Sequence, residues 1–201
     1  MPNTSDELLK GQSGEDLQSP SLAELSDLNR ELTQGEIKAV FEHVPLIVLA
    51  DDVEPIRRMA LGVVRMVSQN RSRVVDLRGN MAQCFDAAKE YNGAKLPMIL
   101  CNDGNQAREA VQIICERGIP SGIVALDESM GGPRGMSIFK EFNEKIPPKI
   151  VKILQSSNPP DDTKACLEAG IVDASVDKFG IEAIPTVARA YLRRIFGEPS
   201  K

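Results

Sequence analysis

A six-residue apolar run, Pro45-Leu46-Ile47-Val48-Leu49-Ala50, ends in two adjacent carboxylates, Asp51 and Asp52. A short, sharply bounded run of this kind reads as a parallel strand buried on both faces. Open α/β sheets place their ligands at the carboxyl ends of such strands. Adjacent carboxylates repel one another, and a cation between them offsets that repulsion. All-oxygen donors favour a hard divalent ion, Mg²⁺ or Mn²⁺.

The same punctuation recurs along the chain. Residues 73–77 form a possible short strand. Residues 97–101 form another, closed by Asn102-Asp103-Gly104. Residues 123–126 are fully apolar and end at Asp127. Residues 150–154 end at Gln155-Ser156-Ser157, and 172–176 end at Asp177-Lys178. Helical stretches lie between them. Glu54-Pro55 opens one, with Pro in its first turn and Ile56, Met59, Ala60, Val63, Val64 and Val67 on its apolar face. Others are expected over 80–91, over 106–117, after the Gly131–Gly135 turn, from Pro159-Pro160 to Ala169 with Gly170 as cap, and over 184–196. Strand–helix alternation predicts a doubly wound α/β fold, a parallel sheet with helices on both faces and right-handed crossovers.

Composition narrows the function classes. With 42% hydrophobic and 26% charged residues, the 201-residue chain is an ordinary globular one. Its net charge of −5 disfavours a nucleic-acid surface. The basic pairs Arg57-Arg58 and Arg193-Arg194 read as solvated helix faces, and Glu128 and Arg134 as solvated rim residues. Four cysteines (Cys84, Cys101, Cys115, Cys166) lack metal-ligand spacing, and Cys101 and Cys115 sit in apolar contexts that suit reduced core residues. A cytoplasmic location is expected from these thiols, with no membrane span and no signal-like N-terminus. A single histidine, His43, expected to be exposed before the first strand, excludes a multi-histidine zinc site and gives no support to a nucleophilic triad.

Residues 1–20 are polar and expected to be disordered. Residues 21–43 predict a helical extension. It opens with the capping box Ser21-Leu22-Ala23-Glu24 and carries Leu22, Leu25, Leu28 and Leu32, then Ile37, Val40 and Phe41. It reads as one helix, or two broken near Gly35. It could pack on its own domain or form a homodimer seam, as could the last helix.

Asp51, Asp52, Asp127, Ser156, Ser157 and Lys178 all fall at strand ends. Three carboxylates, a hydroxyl and a lysine on one edge suggest a phosphoryl-transfer site. Two acids would bind a divalent cation, and a third would be both ligand and nucleophile. The lysine would supply a point charge and the hydroxyl a hydrogen bond.

Over roughly residues 45–197 the chain resembles the receiver domain of two-component response regulators. Leu46–Asp52 followed by Arg57-Arg58 is similar to that family's first strand, acidic pair and first helix. Asn102–Ala107 resembles its turn after the second strand. Asp127-Glu128-Ser129-Met130, with Gly135 beyond, resembles the phosphoacceptor strand and loop. Glu168-Ala169-Gly170 and then Asp177-Lys178 resemble the approach to its lysine. The resemblance implies Asp127 as phosphoacceptor and Asp51, Asp52, Asp127 and the Ser129 backbone carbonyl as ligands of Mg²⁺. It implies Lys178 against the phosphoryl group and Ser156 as switch hydroxyl, with Ser157 as the adjacent candidate. The implied partners are a histidine kinase or phosphotransfer protein as donor and an output protein that the sequence does not identify. The chain ends one helix after Lys178, which reads as a stand-alone or excised receiver.

Five departures from the family stand out. The Asp52–Asp127 interval is longer, with the excess at about 70–96, either an added strand–helix unit or a lengthened helix with a hairpin. Phe179 stands in place of the proline that usually follows the lysine, and Gly131 in place of another. The Gly170–Lys178 interval is one residue longer. Ala174 and Ser175 stand where a switch aromatic is expected. Two alternatives follow: a degenerate receiver acting as a constitutive interaction module, and a haloacid-dehalogenase-like phosphatase. The second lacks support because Asp127-Glu128-Ser129 has no second aspartate two residues on.

Overall fold

The computed structural model of the chain describes residues 31–68, 73–90 and 94–196. The expected disorder over 1–20 and the Ser21 capping box lie outside the described residues. Six strands form one parallel sheet: β1 (Ile47–Ala50), β2 (Val74–Leu77), β3 (Leu96–Cys101), β4 (Gly122–Asp127), β5 (Ile150–Gln155) and β6 (Ala174–Val176). Their order is β2-β3-β1-β4-β5-β6. Every neighbouring pair is parallel, with Ala50 beside Cys101 and Leu126, and Asp127 beside Gln155.

The helices are α1 (Gln34–His43), α2 (Glu54–Val67), α3 (Met81–Glu90), α4 (Gly104–Arg117), α5 (Gly135–Phe142), α6 (Thr163–Glu168) and α7 (Ile184–Phe196). A 3-10 turn, Ile181–Ala183, leads into α7. Alternate strand residues point to opposite faces, so each strand contributes to two cores. On one face Ile47, Leu49, Met98, Leu100 and Ile153 pack against α1, α2 and α7. On the other, Val48, Ile99, Val124 and Leu154 pack against α3, α4 and α5, with Cys166 of α6. The architecture is doubly wound and flavodoxin-like.

Residues 73–90 supply a strand–helix unit, β2 and α3, that adds an edge strand outside β3. Of the two readings of the long interval, the added unit is the one observed. α1 belongs to the main core, through Ile37, Val40 and Phe41. Its boundary is Thr33 rather than Gly35. The Thr33 hydroxyl accepts the Glu36 N–H while the Glu36 carboxylate accepts the Thr33 N–H, a reciprocal capping box.

Several boundaries differ from expectation. α6 begins at Thr163, not at Pro159-Pro160. Pro160 disfavours helical backbone at Pro159, and Thr163 N–H closes a turn onto Pro160 O at 2.9 Å. α4 begins earlier, at Gly104, because the Asp103 carboxylate caps it by accepting the Asn105 and Gln106 N–H groups. Two side chains of the basic pairs are not solvated. Arg57 is buried, and Arg194 is half-buried against Asp173. His43 is exposed and all four cysteines are free thiols. Among the described residues no helix is long and apolar enough to cross a membrane.

Candidate functional site

The chain runs from β1 out to β2 and β3, then crosses back over β1 to β4. The carboxyl ends of β1 and β4 therefore flank the topological switch point, where doubly wound sheets hold their ligands. Asp51 follows β1 and Asp127 is the last residue of β4. The sequence places acids at these two strand ends, and parallel pairing of β1 with β4 brings them together.

Asp51 is fully buried, Asp127 nearly so, and Asp52 is exposed. Each offers one oxygen such that all three lie within 4.8 Å of one another. Lys178, just past β6, spans the two buried acids. Its Nζ is 3.2 Å from Asp51 Oδ2 and 3.1 Å from Asp127 Oδ1. Asp51 Oδ1 accepts the Val53 N–H at 2.9 Å, which fixes the carboxylate at the head of α2.

The electrostatics follow from this packing. Burial pushes the Asp51 carboxyl above its ordinary range, and the Val53 N–H and Lys178 offset that only in part. Burial alone would lower the Lys178 ammonium, but Asp127 and Asp51 outweigh it and the net shift is upward. Three carboxylates against one ammonium leave two negative charges uncompensated. That deficit, with hard oxygen donors, fits a divalent cation such as Mg²⁺ held by Asp51, Asp52 and Asp127.

The remaining expected residues follow neighbouring strand ends, Ser129 after β4 and Ser156 and Ser157 after β5, whose Gln155 lies beside Asp127. Ser129 is exposed in the turn after β4. Ser156, buried at the end of β5, donates its N–H to Val176 O at 2.8 Å. Its hydroxyl accepts the Asn158 N–H at 3.2 Å, so it also shapes the loop. Ser157 is exposed.

Four supporting side chains escape a reading by residue type. Gln155, fully buried at the end of β5, accepts the Phe179 N–H at 2.9 Å and donates to Ala50 O at 3.4 Å. Its signal was positional: it closes an apolar strand as Asp127 does. Arg57 donates to the Asp51 carbonyl and pairs with Glu54 at 2.7 Å. Glu54 is held down to about 2, first by Arg78 at the end of the added unit's strand, then by Arg58, with Arg57 also contributing. Glu128, expected on a solvated rim, is buried, and its Oε2 accepts the Met136 N–H at 2.9 Å. It thereby serves the start of α5, whose N-cap Arg134 makes no side-chain cap.

Two glycines hold the loop after Asp127 in place. A Cβ on Gly135 would lie 2.9 Å from Asp127 O and 3.0 Å from Leu126 Cβ. A Cβ on Gly104 would lie 2.0 Å from Pro133 O, and Gly104 N–H donates to Gly131 O at 2.7 Å. Both are close backbone approaches that only glycine permits.

The sequence matches no protein-family model and no curated protein. The functional reading rests on the residues and their geometry.

Proposed function

We propose that this protein is a phosphoacceptor receiver of the two-component type, phosphorylated on Asp127 with Mg²⁺. The observation that carries the reading is the Lys178 ammonium spanning Asp51 and Asp127 at the switch point, with Asp52 completing an acid cluster. An Asp127 carboxylate oxygen attacks the phosphorus of a phosphodonor. The bond from phosphorus to the donor's leaving group breaks, and an acyl phosphate forms on Asp127. The Lys178 ammonium, 3.1 Å from Asp127 Oδ1, stands ready to neutralise a phosphoryl oxygen. A cation held by Asp51, Asp52, Asp127 and the Ser129 carbonyl would supply further neutralisation of the phosphoryl oxygens. The Ser156 hydroxyl proton is the switch donor, and the loop it shapes passes the change to a protein partner.

The donor is a histidine kinase or phosphotransfer protein, and the readout is a change in protein–protein affinity in a cytoplasmic setting. The protein accepts a phosphoryl group; its only turnover is slow hydrolysis of its own acyl phosphate. Incubation with acetyl phosphate and Mg²⁺, read by intact mass, tests the reading. A metal-dependent gain of one phosphoryl group, lost in Asp127→Asn, is expected; a gain that persists in the variant would sink the assignment.

One observation favours a second reading, a constitutive interaction module. Gln155 and the buried Phe179 fix the Lys178 loop independently of any phosphoryl group. Absence of both Mg²⁺ binding and phosphorylation would select it.

A further inference from the structure

The added unit, β2 and α3, reaches the acid site through one side chain. Arg78, just past β2, donates from Nη1 to Glu54 Oε1 at 2.8 Å. The two residues are 24 positions apart, so the bond crosses from the sheet edge to the first turn of α2. Asp76 fixes the other side of the guanidinium: its two oxygens accept Arg78 Nε at 2.9 and 3.0 Å.

The second oxygen of Glu54 faces the site. Oε2 accepts Arg57 Nε at 3.1 Å and Nη2 at 2.7 Å. Arg57 is buried, and its Nη1 donates to the Asp51 carbonyl. That carbonyl belongs to the peptide joining Asp51 to Asp52, two of the three acids of the cluster. Holding it fixes the plane of the peptide from which both side chains set out. A guanidinium is a rigid planar fork, so any shift of Glu54 also swings the Arg57 Nη1. Arg57 and Arg58 meet Glu54 within α2; among the described residues, Arg78 is its ion-pair partner from another element. Single exposed ion pairs contribute little, but a carboxylate shared by three guanidinium groups, one of them buried, is a network of defined geometry.

We propose that Arg78 is a positioning residue for the acid site: through Glu54 and Arg57, the added unit holds the Asp51–Asp52 peptide in place. Its effect on Mg²⁺ rests on the metal reading of the cluster, whereas its effect on the Asp51 turn does not. The sign of the Mg²⁺ effect separates position from charge. Loss of a cation from the surroundings of three carboxylates would by itself favour a divalent ion. Loss of position weakens its binding.

Mg²⁺ titration and amide exchange by NMR on the full chain test this. Arg78→Ala should weaken Mg²⁺ binding by about threefold to tenfold, the effect of a displaced ligand support. The Val53 N–H, which donates to Asp51 Oδ1 at 2.9 Å, should exchange faster, while the amides of β4 and β5 keep their protection. Glu54→Gln breaks the bridge, because an amide cannot accept guanidinium groups on both of its polar atoms. Added to Glu54→Gln, Arg78→Ala should change either readout by less than about twofold. Unchanged or tighter Mg²⁺ binding in Arg78→Ala would overturn the inference. So would a loss of stability that leaves Mg²⁺ binding and Val53 exchange as they were, which would make Arg78 a tie for the sheet edge alone. If the wild-type chain binds no Mg²⁺, the metal reading fails instead, and Val53 exchange decides: an unchanged rate in Arg78→Ala would then refute the positioning role.

Discussion

Gln155 Oε1 accepts the backbone N–H of Phe179 at 2.9 Å, which ties the loop carrying Lys178 to the end of β5. A proline at position 179 would have no N–H to offer. Phe179 also buries its ring in the core shared by α1, α2 and α7. The lysine is therefore held by a side-chain hydrogen bond and a buried anchor on its C-terminal side. In Gln155→Leu the Phe179 N–H stays buried without its acceptor. A loss of about 1–3 kcal/mol in urea unfolding is expected. Phosphorylation by acetyl phosphate should slow in the same variant, and an unchanged rate would show that this bond does not position Lys178.

Asp51→Asn should separate stability from function. The fold disfavours charge on this carboxyl, as its upward shift shows. An asparagine keeps an oxygen for the Val53 N–H and removes the buried charge. Without metal, the variant should melt higher, by about 2–4 °C if the gain is near 1 kcal/mol. Saturating Mg²⁺ should then raise the melting temperature of the wild type but not of the variant. Calorimetric scans with and without Mg²⁺ check both.

The pH dependence has two parts of definite sign. The raised Asp51 pKa means the folded state binds the proton more tightly than the unfolded chain. In metal-free protein this group's contribution to stability is greatest below 3.8 and declines as pH rises through the folded value. Mg²⁺ competes with that proton, so Mg²⁺ affinity should fall on acidification from a higher pH than an ordinary aspartate would give. Titration of Mg²⁺ binding against pH tests this. Lys178 behaves in the alkaline range. Its contribution is complete below 10.5 and is lost as pH rises through the raised folded value. The stability difference between wild type and Lys178→Met should close there.

Gly104→Ala should act on the acid site from the neighbouring loop. Its Cβ would lie 2.0 Å from Pro133 O and 2.8 Å from Pro133 N, both backbone atoms. The loop between Asp127 and α5 must move to admit it. A destabilisation of about 1–3 kcal/mol is expected from overpacking, together with weaker Mg²⁺ binding. Retention of both wild-type stability and affinity would show that the loop yields freely.

β1, β3 and β4 are legible in the sequence because each is an apolar run buried by its neighbours and closed by a polar residue. Asp51, Asp127 and Lys178 are legible because their chemistry stands out at strand ends. Strand order was not legible locally: β2 lies outside β3 only because the crossover from β1 skips a position. Arg57 reads as a surface residue by periodicity, yet its guanidinium is drawn inward by the Asp51 carbonyl and Glu54. Glu128 likewise reads as a rim acid until α5 presents the Met136 N–H to it. The Arg57–Glu54 pair is an i,i+3 helix contact, but the Asp51 carbonyl and the Met136 N–H come within reach only through the turns that precede α2 and α5.

The sheet is bordered by short strands, β2 with four residues and β6 with three. Strand edges are templates on which a foreign chain can polymerise, and brevity blunts them. At the β2 border, Arg78 and Asp76 bond to each other beside the few backbone groups on offer. The molecule is therefore a poor seed for sheet extension on either flank. Whatever recognises it must read side chains on helices and loops rather than borrow its backbone.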